Sequence, residues 1–151
     1  MDELKIVPCS SELGLDKLLK SVSNIEDAQV FDADSIVSKK HLEVAFFHAR
    51  QAFAENMNIA NSLKMEFLLR AAATRQIKVA LEKCGVKNPT RIILATWGEE
   101  KDVAKILSIL NAKKKKLKVN ESHLVSLHNL DRKRNLEKQI IEKMVEVQIG
   151  D

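Results

Sequence analysis

Two segments of the sequence combine basic side chains with the predicted start of a helix. The first reads Ser38-Lys39-Lys40-His41 and the second Thr74-Arg75-Gln76-Ile77. A helix N-terminus carries about half a positive charge and unpaired N–H groups, so acidic residues usually occupy it. Cations there cost up to about 1 kcal/mol unless an anion is bound. Because the pattern occurs twice, we predict a phosphate-binding surface; the alternative is that these side chains simply extend into water.

Arg70 is a third basic residue, and it lies between these two segments. It belongs to a predicted helix, residues 62–73, whose residues are apolar almost all round. Glu66 precedes it by four residues, the order and spacing that favour an ion pair along a helix. Structural support for the helix and a phosphate contact by Arg70 therefore both stay open. A catalytic role for Glu66 is disfavoured, because no nucleophile or second acid accompanies it.

The lysine run Lys113–Lys116 is the densest concentration of charge in the sequence. We predict that it ends a helix that opens near Glu99 and Asp102. Cations are favourable at a helix C-terminus, where they interact with the dipole and the last carbonyl groups. A solvated helix end is therefore the main interpretation, with nucleic-acid binding as the alternative. The basic group Arg132–Arg134 leaves the same two interpretations open.

Signatures of catalysis, metal binding and cofactor binding are missing from the sequence. It contains no phosphate-binding Walker loop, no GxGxxG motif and no GxSxG motif. His41 and His48 could share a helix face, yet no acidic or cysteine partner recurs at ligand spacing. His123 and His128 are spaced so that they diverge around a helix. We therefore predict a protein without catalytic residues, metal ions or cofactors.

Composition indicates one ordinary globular domain, residues 1–151. Hydrophobic residues make up 45% and charged residues 30%, and the net charge of +4 permits an acidic partner without requiring one. Aromatic residues make up only 4%, which disfavours a sheet that stacks RNA bases. Residues 1–5 lack the apolar core of a signal peptide, and no run of apolar residues is long enough to span a membrane. We expect a cytoplasmic protein, with Cys9 and Cys84 as buried thiols.

The hydrophobic pattern predicts a mixed α/β, helix-rich fold, in which a small sheet of about three to four strands is wrapped by helices. Pro8 should mark the end of the first strand or an edge position. After Gly98 the pattern is helical to the end of the chain. Strands are predicted at 4–9, 28–31 and 91–97, and the main helices at 38–55, 62–73, 74–85, from 99, from 120 and at 131–147.

Several short motifs together resemble a known family, the small kinase-binding subunit of the KEOPS complex, archaeal type. The resemblance is close over residues 28–97, and the rest agrees in length and pattern. One departure is Ala71-Ala72-Ala73, where the family often has a glycine, so this turn is expected to be tighter or more helical. The matching motifs are Asp34-Ser35-Ile36-Val37-Ser38-Lys39-Lys40-His41-Leu42, Ile59-Ala60-Asn61-Ser62, Met65-Glu66-Phe67-Leu68-Leu69-Arg70, Thr74-Arg75-Gln76-Ile77 and Cys84-Gly85-Val86.

The resemblance implies a function in tRNA modification without catalysis by this subunit. Members of the family support synthesis of N6-threonylcarbamoyladenosine in tRNA. They dock on the small atypical kinase of the complex, and so act indirectly with its threonylcarbamoyltransferase subunit, and they help to hold the 3′ CCA end of the tRNA. The RNA-binding residues implied for this chain are Lys39, Lys40, Arg70, Arg75 and Gln76, with Gln76 able to read a base edge.

The apolar stripe Leu136, Ile140 and Met144 of the last predicted helix is our candidate for the kinase-docking surface. The alternative is that this stripe closes the protein's own core. A competing function for the whole chain is a purely structural adaptor that makes no direct contact with RNA.

Overall fold

A computed structural model describes residues 4–99 and 102–149. The chain divides into two compact units, 1–33 with 86–118 and 34–85 with 119–151. In the described ranges, all four strands lie in the first unit, and the seven helices are shared between the two. The prediction of a mixed α/β, helix-rich fold with a small sheet is confirmed.

The first unit is built on an antiparallel sheet with the order β2-β3-β1-β4. Its two central strands pair over most of their length, with Val7 opposite Leu94. The strands are β1 (Lys5–Ser11), β2 (Ala28–Asp32), β3 (Ile92–Thr96) and β4 (Ala112–Lys114), and the helices of this unit are α1 (Leu15–Ser23) and α5 (Asp102–Ile109).

Pro8 lies inside β1 rather than at its end, at the point where the pairing of β1 with β4 stops. The β1–β4 pairing runs only from Cys9 to Ser11, and beyond it Lys115 N–H donates to Pro8 O at 3.0 Å. In an antiparallel strand the N–H and C=O of one residue point toward the same neighbour. The missing Pro8 N–H therefore falls where β4 ends, so that Pro8 is locally at an edge.

The core of the first unit lies between one face of the sheet and its two helices. Alternate residues of a strand share a face, and the apolar ones on this face meet the apolar stripe of each helix. The buried residues of this cluster are Cys9, Leu18, Val22, Ala28, Val30, Val86, Ile92, Leu94, Ile106 and Leu110. Burial raises the pKa of Cys9 to about 11, so its thiol is unreactive at neutral pH.

The lysine run is not a helix end, and this prediction was wrong. Helix α5 ends at Ile109, and Asn111 adopts a left-handed conformation with φ of 48°. The chain then enters β4, so Lys113 and Lys114 lie in an edge strand. The residue that turns the chain is an asparagine, which tolerates positive φ and allows the strand to pair with β1.

The second unit is helical in the residues that the structure describes. Serine and asparagine side chains begin three of its helices as predicted: Ser38, Ser62 and Asn120 each accept a hydrogen bond from the backbone N–H three residues ahead. The helices are α2 (Lys39–Ala54), α3 (Leu63–Ala71), α4 (Ile77–Cys84), α6 (Glu121–His128) and α7 (Leu136–Ile149).

Helix α7 begins five residues later than its apolar pattern predicts. Asp131 Oδ1 accepts from Lys133 N–H at 2.9 Å, which sets a turn instead of a helix. Asn135 Oδ1 then accepts from Lys138 N–H at 2.9 Å and caps the helix. Local side-chain bonds to the backbone therefore compete successfully with helix formation over this stretch.

Ala73 takes the position that a glycine normally holds at the end of a helix. Its φ is 53°, in the left-handed region. The N–H of Thr74 bonds to Leu69 O at 3.2 Å and the N–H of Ala73 bonds to Arg70 O at 3.1 Å. This pair of bonds is the Schellman motif, which ends α3 and satisfies its last carbonyl groups. The chain thus makes a glycine-type turn with an alanine, whose backbone is strained at positive φ.

We expect the substitution Ala73→Gly to stabilise the protein, by up to about 1 kcal/mol. Glycine removes the clash between Cβ and the backbone at positive φ, and the greater entropy of the unfolded chain offsets part of the gain. Urea unfolding measures the difference. Ala54→Gly, in the last turn of α2, is the control and should lower stability by about 0.5–1 kcal/mol. Equal losses in both variants would contradict the strain at Ala73.

Candidate nucleic-acid interface

The start of α2 is the predicted basic helix start, and it is confirmed as such. Ser38 is the N-cap, and its Oγ accepts from His41 N–H at 3.3 Å. Lys39 and Lys40 form the rest of the first turn with both side chains exposed. Their backbone N–H groups belong to the orphan donors that every helix N-terminus presents. An anion at this position meets two ammonium groups and two N–H groups.

The second basic start lies two residues later than predicted. Gln76 is the N-cap of α4, so Arg75 precedes the helix, and the exposed Lys78 lies in its first turn. The cause is local, because the turn at Ala73 leads into a bond from Gln76 N–H to Thr74 Oγ1 at 3.2 Å. Lys78 was missed in the sequence, and placing the helix start at Gln76 would have found it. We call Lys39, Lys40, Arg75, Gln76 and Lys78 the basic surface.

The two helix starts of the basic surface differ from all others in the described residues. Neither α2 nor α4 has an acidic residue in its first turn. Each of the other helices has one there, which complements the helix dipole. Those acidic residues are Asp16 in α1, Glu66 in α3, Asp102 in α5, Glu121 in α6 and Glu137 in α7. The first turns of α2 and α4 therefore contain no acidic side chain that could offset the positive end of the helix dipole.

His41 connects the two parts of the basic surface. Its Nδ1 accepts from Val37 N–H at 3.0 Å, so the ring proton resides on Nε2. This Nε2–H donates to Ala71 O at 2.8 Å. The start of α2 is thereby bonded to the end of α3, and Arg75 follows Ala71 by four residues. This contact between the start of α2 and the end of α3 could not be established from the sequence.

Both histidines of this region are neutral anchors rather than metal ligands. Burial lowers the pKa of His41 to about 4, against the hydrogen bond to Ala71, which raises it. Burial also lowers the pKa of His128, whose Nε2 bonds to Ser35 O at 2.8 Å. The two rings meet edge to face at 5.8 Å between centroids. The sequence feature that could have indicated a neutral, hydrogen-bonded histidine is its position among the apolar residues of a helix.

Arg70 lies inside the second unit and not on its basic surface. The residue is 3% exposed, and its Nε and Nη2 donate to Glu66 Oε2 at 2.9 and 2.8 Å. Glu66 Oε1 accepts from the backbone N–H groups of Ile59 and Ala60 at 2.8 and 2.7 Å. A buried guanidinium with these partners is not available to RNA, so its burial favours the structural alternative stated from the sequence.

Arg75 is exposed, as predicted, and it also contacts the last turn of α7. Its Nη1 donates to Val147 O at 2.9 Å. Next to it, Gln148 Oε1 accepts from Arg70 Nη1 at 2.6 Å, and Gln148 Nε2 donates to Gln51 Oε1 at 3.1 Å. Sequence reasoning missed Gln148, because partners 78 residues apart leave no local pattern. The end of α7 is thus held by α2, α3 and the segment before α4.

The stripe proposed for docking is largely core. Ile140 and Met144 are both 0% exposed, and Leu136 is half-buried. This burial corresponds to the alternative in which the stripe closes the core. Helix α4, by contrast, exposes its two large apolar residues, since Ile77 and Leu81 are 43% and 48% exposed. Its inner face consists of the smaller Ala80 and Cys84.

The described residues hold no group of three or more His, Cys, Asp or Glu side chains that could bind a metal ion. In the same ranges, none of the helices combines the length and the apolar character needed to cross a bilayer.

Comparison with known proteins assigns the chain to a family. The sequence profile of the family described as kinase binding protein CGI-121 matches residues 11–145, which is most of the chain. A search of curated proteins found no significant match. The profile match confirms the resemblance to a family of kinase-binding proteins, and it covers both basic helix starts and all of the helices except the end of α7. The chain therefore belongs to the CGI-121 family of kinase binding proteins.

Proposed function

We propose that this protein is a non-catalytic accessory subunit of the KEOPS complex. It binds the small atypical kinase of that complex and the 3′ CCA end of the substrate tRNA, and so supports synthesis of N6-threonylcarbamoyladenosine. The family match supports the kinase partner. The single observation behind the RNA contact is that α2 and α4 begin with exposed lysines and without acidic residues.

The basic surface has the chemistry that a single-stranded RNA end requires. Phosphates bind favourably to helix N-termini that are backed by Lys or Arg side chains. The exposed amide of Gln76 can pair with a base edge, and the half-exposed Ile77 beside it offers an apolar contact for a base. Arg70 has no part in this contact, because it is buried and paired with Glu66.

We expect the double substitution Lys39→Ala and Lys40→Ala to weaken binding of intact tRNA. Each phosphate contact on a single strand contributes about −0.7 to the slope of log affinity against log salt, so the slope should flatten by about 1.4. Protein stability should stay the same or rise slightly, because cations leave the positive end of a helix. Gel shifts at several salt concentrations measure the first effect, and urea unfolding measures the second.

The control removes the same charge elsewhere, through Lys17→Ala and Lys20→Ala on α1, where both side chains are exposed. This variant should bind intact tRNA as the unchanged protein does. Trimming the CCA end should reduce binding by the unchanged protein, and have little effect on the Lys39/Lys40 variant. Equal binding of intact and trimmed tRNA by the unchanged protein would refute recognition of the end. Failure to bind either RNA would favour the purely structural adaptor.

For the kinase contact we propose exposed apolar side chains at the seam of α2 and α7. Phe47, Val145 and Ile149 are 64%, 39% and 79% exposed. Phe47 lies one helical turn before Gln51, and Val145 and Ile149 lie on either side of Gln148 along α7. Gln51 and Gln148 are hydrogen-bonded across the seam, and Phe47 and Val145 lie one helical turn from them. Ile149 shares a face of α7 with Val145, which precedes it by four residues. Exposed aromatic side chains are typical anchors of protein interfaces.

A further inference from the structure

The lysine segment that follows α5 is a strongly charged surface for which the proposed function has no use. Lys113, Lys114, Lys115, Lys116 and Lys118 are all exposed. The sequence from residue 111 to residue 120 contains no acidic residue. None of the five lysines forms an ion pair within the ranges 4–99 and 102–149. Five ammonium groups within the six residues 113–118 repel one another, and a polyanion relieves that repulsion.

Two ordinary explanations for the lysines do not account for the segment. The lysines cannot be explained by stabilisation of a helix C-terminus, because α5 ends at Ile109 and the lysines begin after the turn at Asn111. Protection of an exposed strand edge against unwanted pairing is a known use of lysine. It suits Lys113 and Lys114 in β4, but Lys115, Lys116 and Lys118 lie beyond the strand.

The backbone of the segment is held in place at two points. Lys115 N–H donates to Pro8 O at 3.0 Å, and Arg91 Nη2 donates to Lys118 O at 3.1 Å. The lysines are thus presented on an anchored chain that continues the sheet, with Arg91 as a further cation behind it. An anchored segment loses less conformational freedom on binding than a free loop does.

We propose that this lysine segment, Lys113–Lys116 with Lys118, binds the phosphate backbone of double-stranded RNA. The choice of RNA as the ligand rests on the proposed function. Paired RNA is favoured over single strands, because the aromatic residues of the first unit, Phe31 and Trp97, are 0% and 5% exposed and cannot stack on bases. A protein partner is disfavoured, because lysine is depleted at protein interfaces and the segment has no exposed aromatic anchor.

The test uses the full-length protein and a fully paired, blunt-ended RNA hairpin, which offers no single-stranded end. Replacing Lys113, Lys114, Lys115 and Lys116 together by Gln should weaken hairpin binding at least tenfold. If at least two of them contact phosphates, the salt slope should flatten by about 1.8 or more, at about 0.9 per phosphate of a duplex. The control, Lys17, Lys20, Lys105 and Lys138 replaced by Gln, removes the same charge from other exposed positions and should bind as the unchanged protein does.

The same variants separate this proposal from the proposed function. Hairpin binding that is lost in the Lys113–Lys116 variant supports the lysine segment even if the Lys39/Lys40 variant binds CCA-ended RNA normally. Unchanged hairpin binding in the Lys113–Lys116 variant overturns the proposal, and so does an equal loss in the control. Polyglutamate is the competitor in a further experiment, at a concentration of charges equal to that of the hairpin. If polyglutamate displaces the hairpin, the proposal of an RNA ligand is overturned, and an acidic protein surface is indicated instead.

Discussion

Replacing Glu66 by alanine should lower the free energy of unfolding by about 3–5 kcal/mol. The substitution leaves the guanidinium of Arg70 buried without its carboxylate, since both residues are almost fully buried. It also removes the acceptor for the backbone N–H groups of Ile59 and Ala60, which precede α3. Urea unfolding followed by circular dichroism measures the loss.

Two further variants identify the cause of this loss. Glu82→Ala removes an exposed glutamate from α4 and should change stability by no more than about 0.5 kcal/mol. Glu66→Leu combined with Arg70→Met replaces the buried pair by apolar side chains and should recover a large part of the loss, because no buried charge is left unpaired. If Glu66→Ala costs no more than Glu82→Ala, the buried ion pair contributes nothing to stability.

Ile140→Ala should destabilise the protein by about 2–5 kcal/mol, as expected for an isoleucine that is 0% exposed. Its fold should otherwise persist, and the affinity of the folded protein for the kinase should be unchanged. Thermal unfolding measures the first quantity, and titration calorimetry with the purified kinase below the unfolding temperature measures the second. If folded Ile140→Ala protein shows a large loss of affinity for the kinase, the apolar stripe of α7 is the docking surface after all.

Phe47→Ala is the matched variant, and it should show the reverse behaviour. The ring is 64% exposed, so its removal should change stability by no more than about 0.5 kcal/mol. If it anchors the kinase, the dissociation constant should rise roughly thirty-fold, which corresponds to about 2 kcal/mol. An unchanged dissociation constant would place the docking surface away from the seam of α2 and α7.

Features that depend on a few neighbouring residues were predictable from the sequence. Ser38 caps α2 through a bond to His41 N–H, so the basic start at Lys39 and Lys40 was located correctly. The cap at Asn120 was located correctly for the same reason. Strands β1, β2 and β3 followed from runs of aliphatic residues, whose side chains fill the buried face of a sheet, whereas β4 was not predicted. Each of these interactions is complete within one turn of helix or one strand.

Local competition between turns and helices was harder to predict. Arg75 precedes α4, and α7 starts at Leu136, because Thr74 and Asp131 bond to nearby backbone groups. Neither turn, residues 74–76 or residues 131–135, contains a proline or a glycine, so the predicted helices were extended across both. The lysine run shows the same problem, since the left-handed Asn111 ends the helical path and directs the chain into β4.

The sequence by itself determined the fold class, the family and the basic start of α2, because each is expressed in short motifs or in local periodicity. Only the tertiary structure decided what the remaining charged and apolar residues do. Arg70 is internal because Gln148, 78 residues further along, meets its guanidinium beside Glu66. Ile140 is core because the other helices cover it, and the start of α2 is held at the end of α3 because His41 bonds to Ala71. Burial and proximity depend on which distant segments pack together, and no spacing within one helix records that choice.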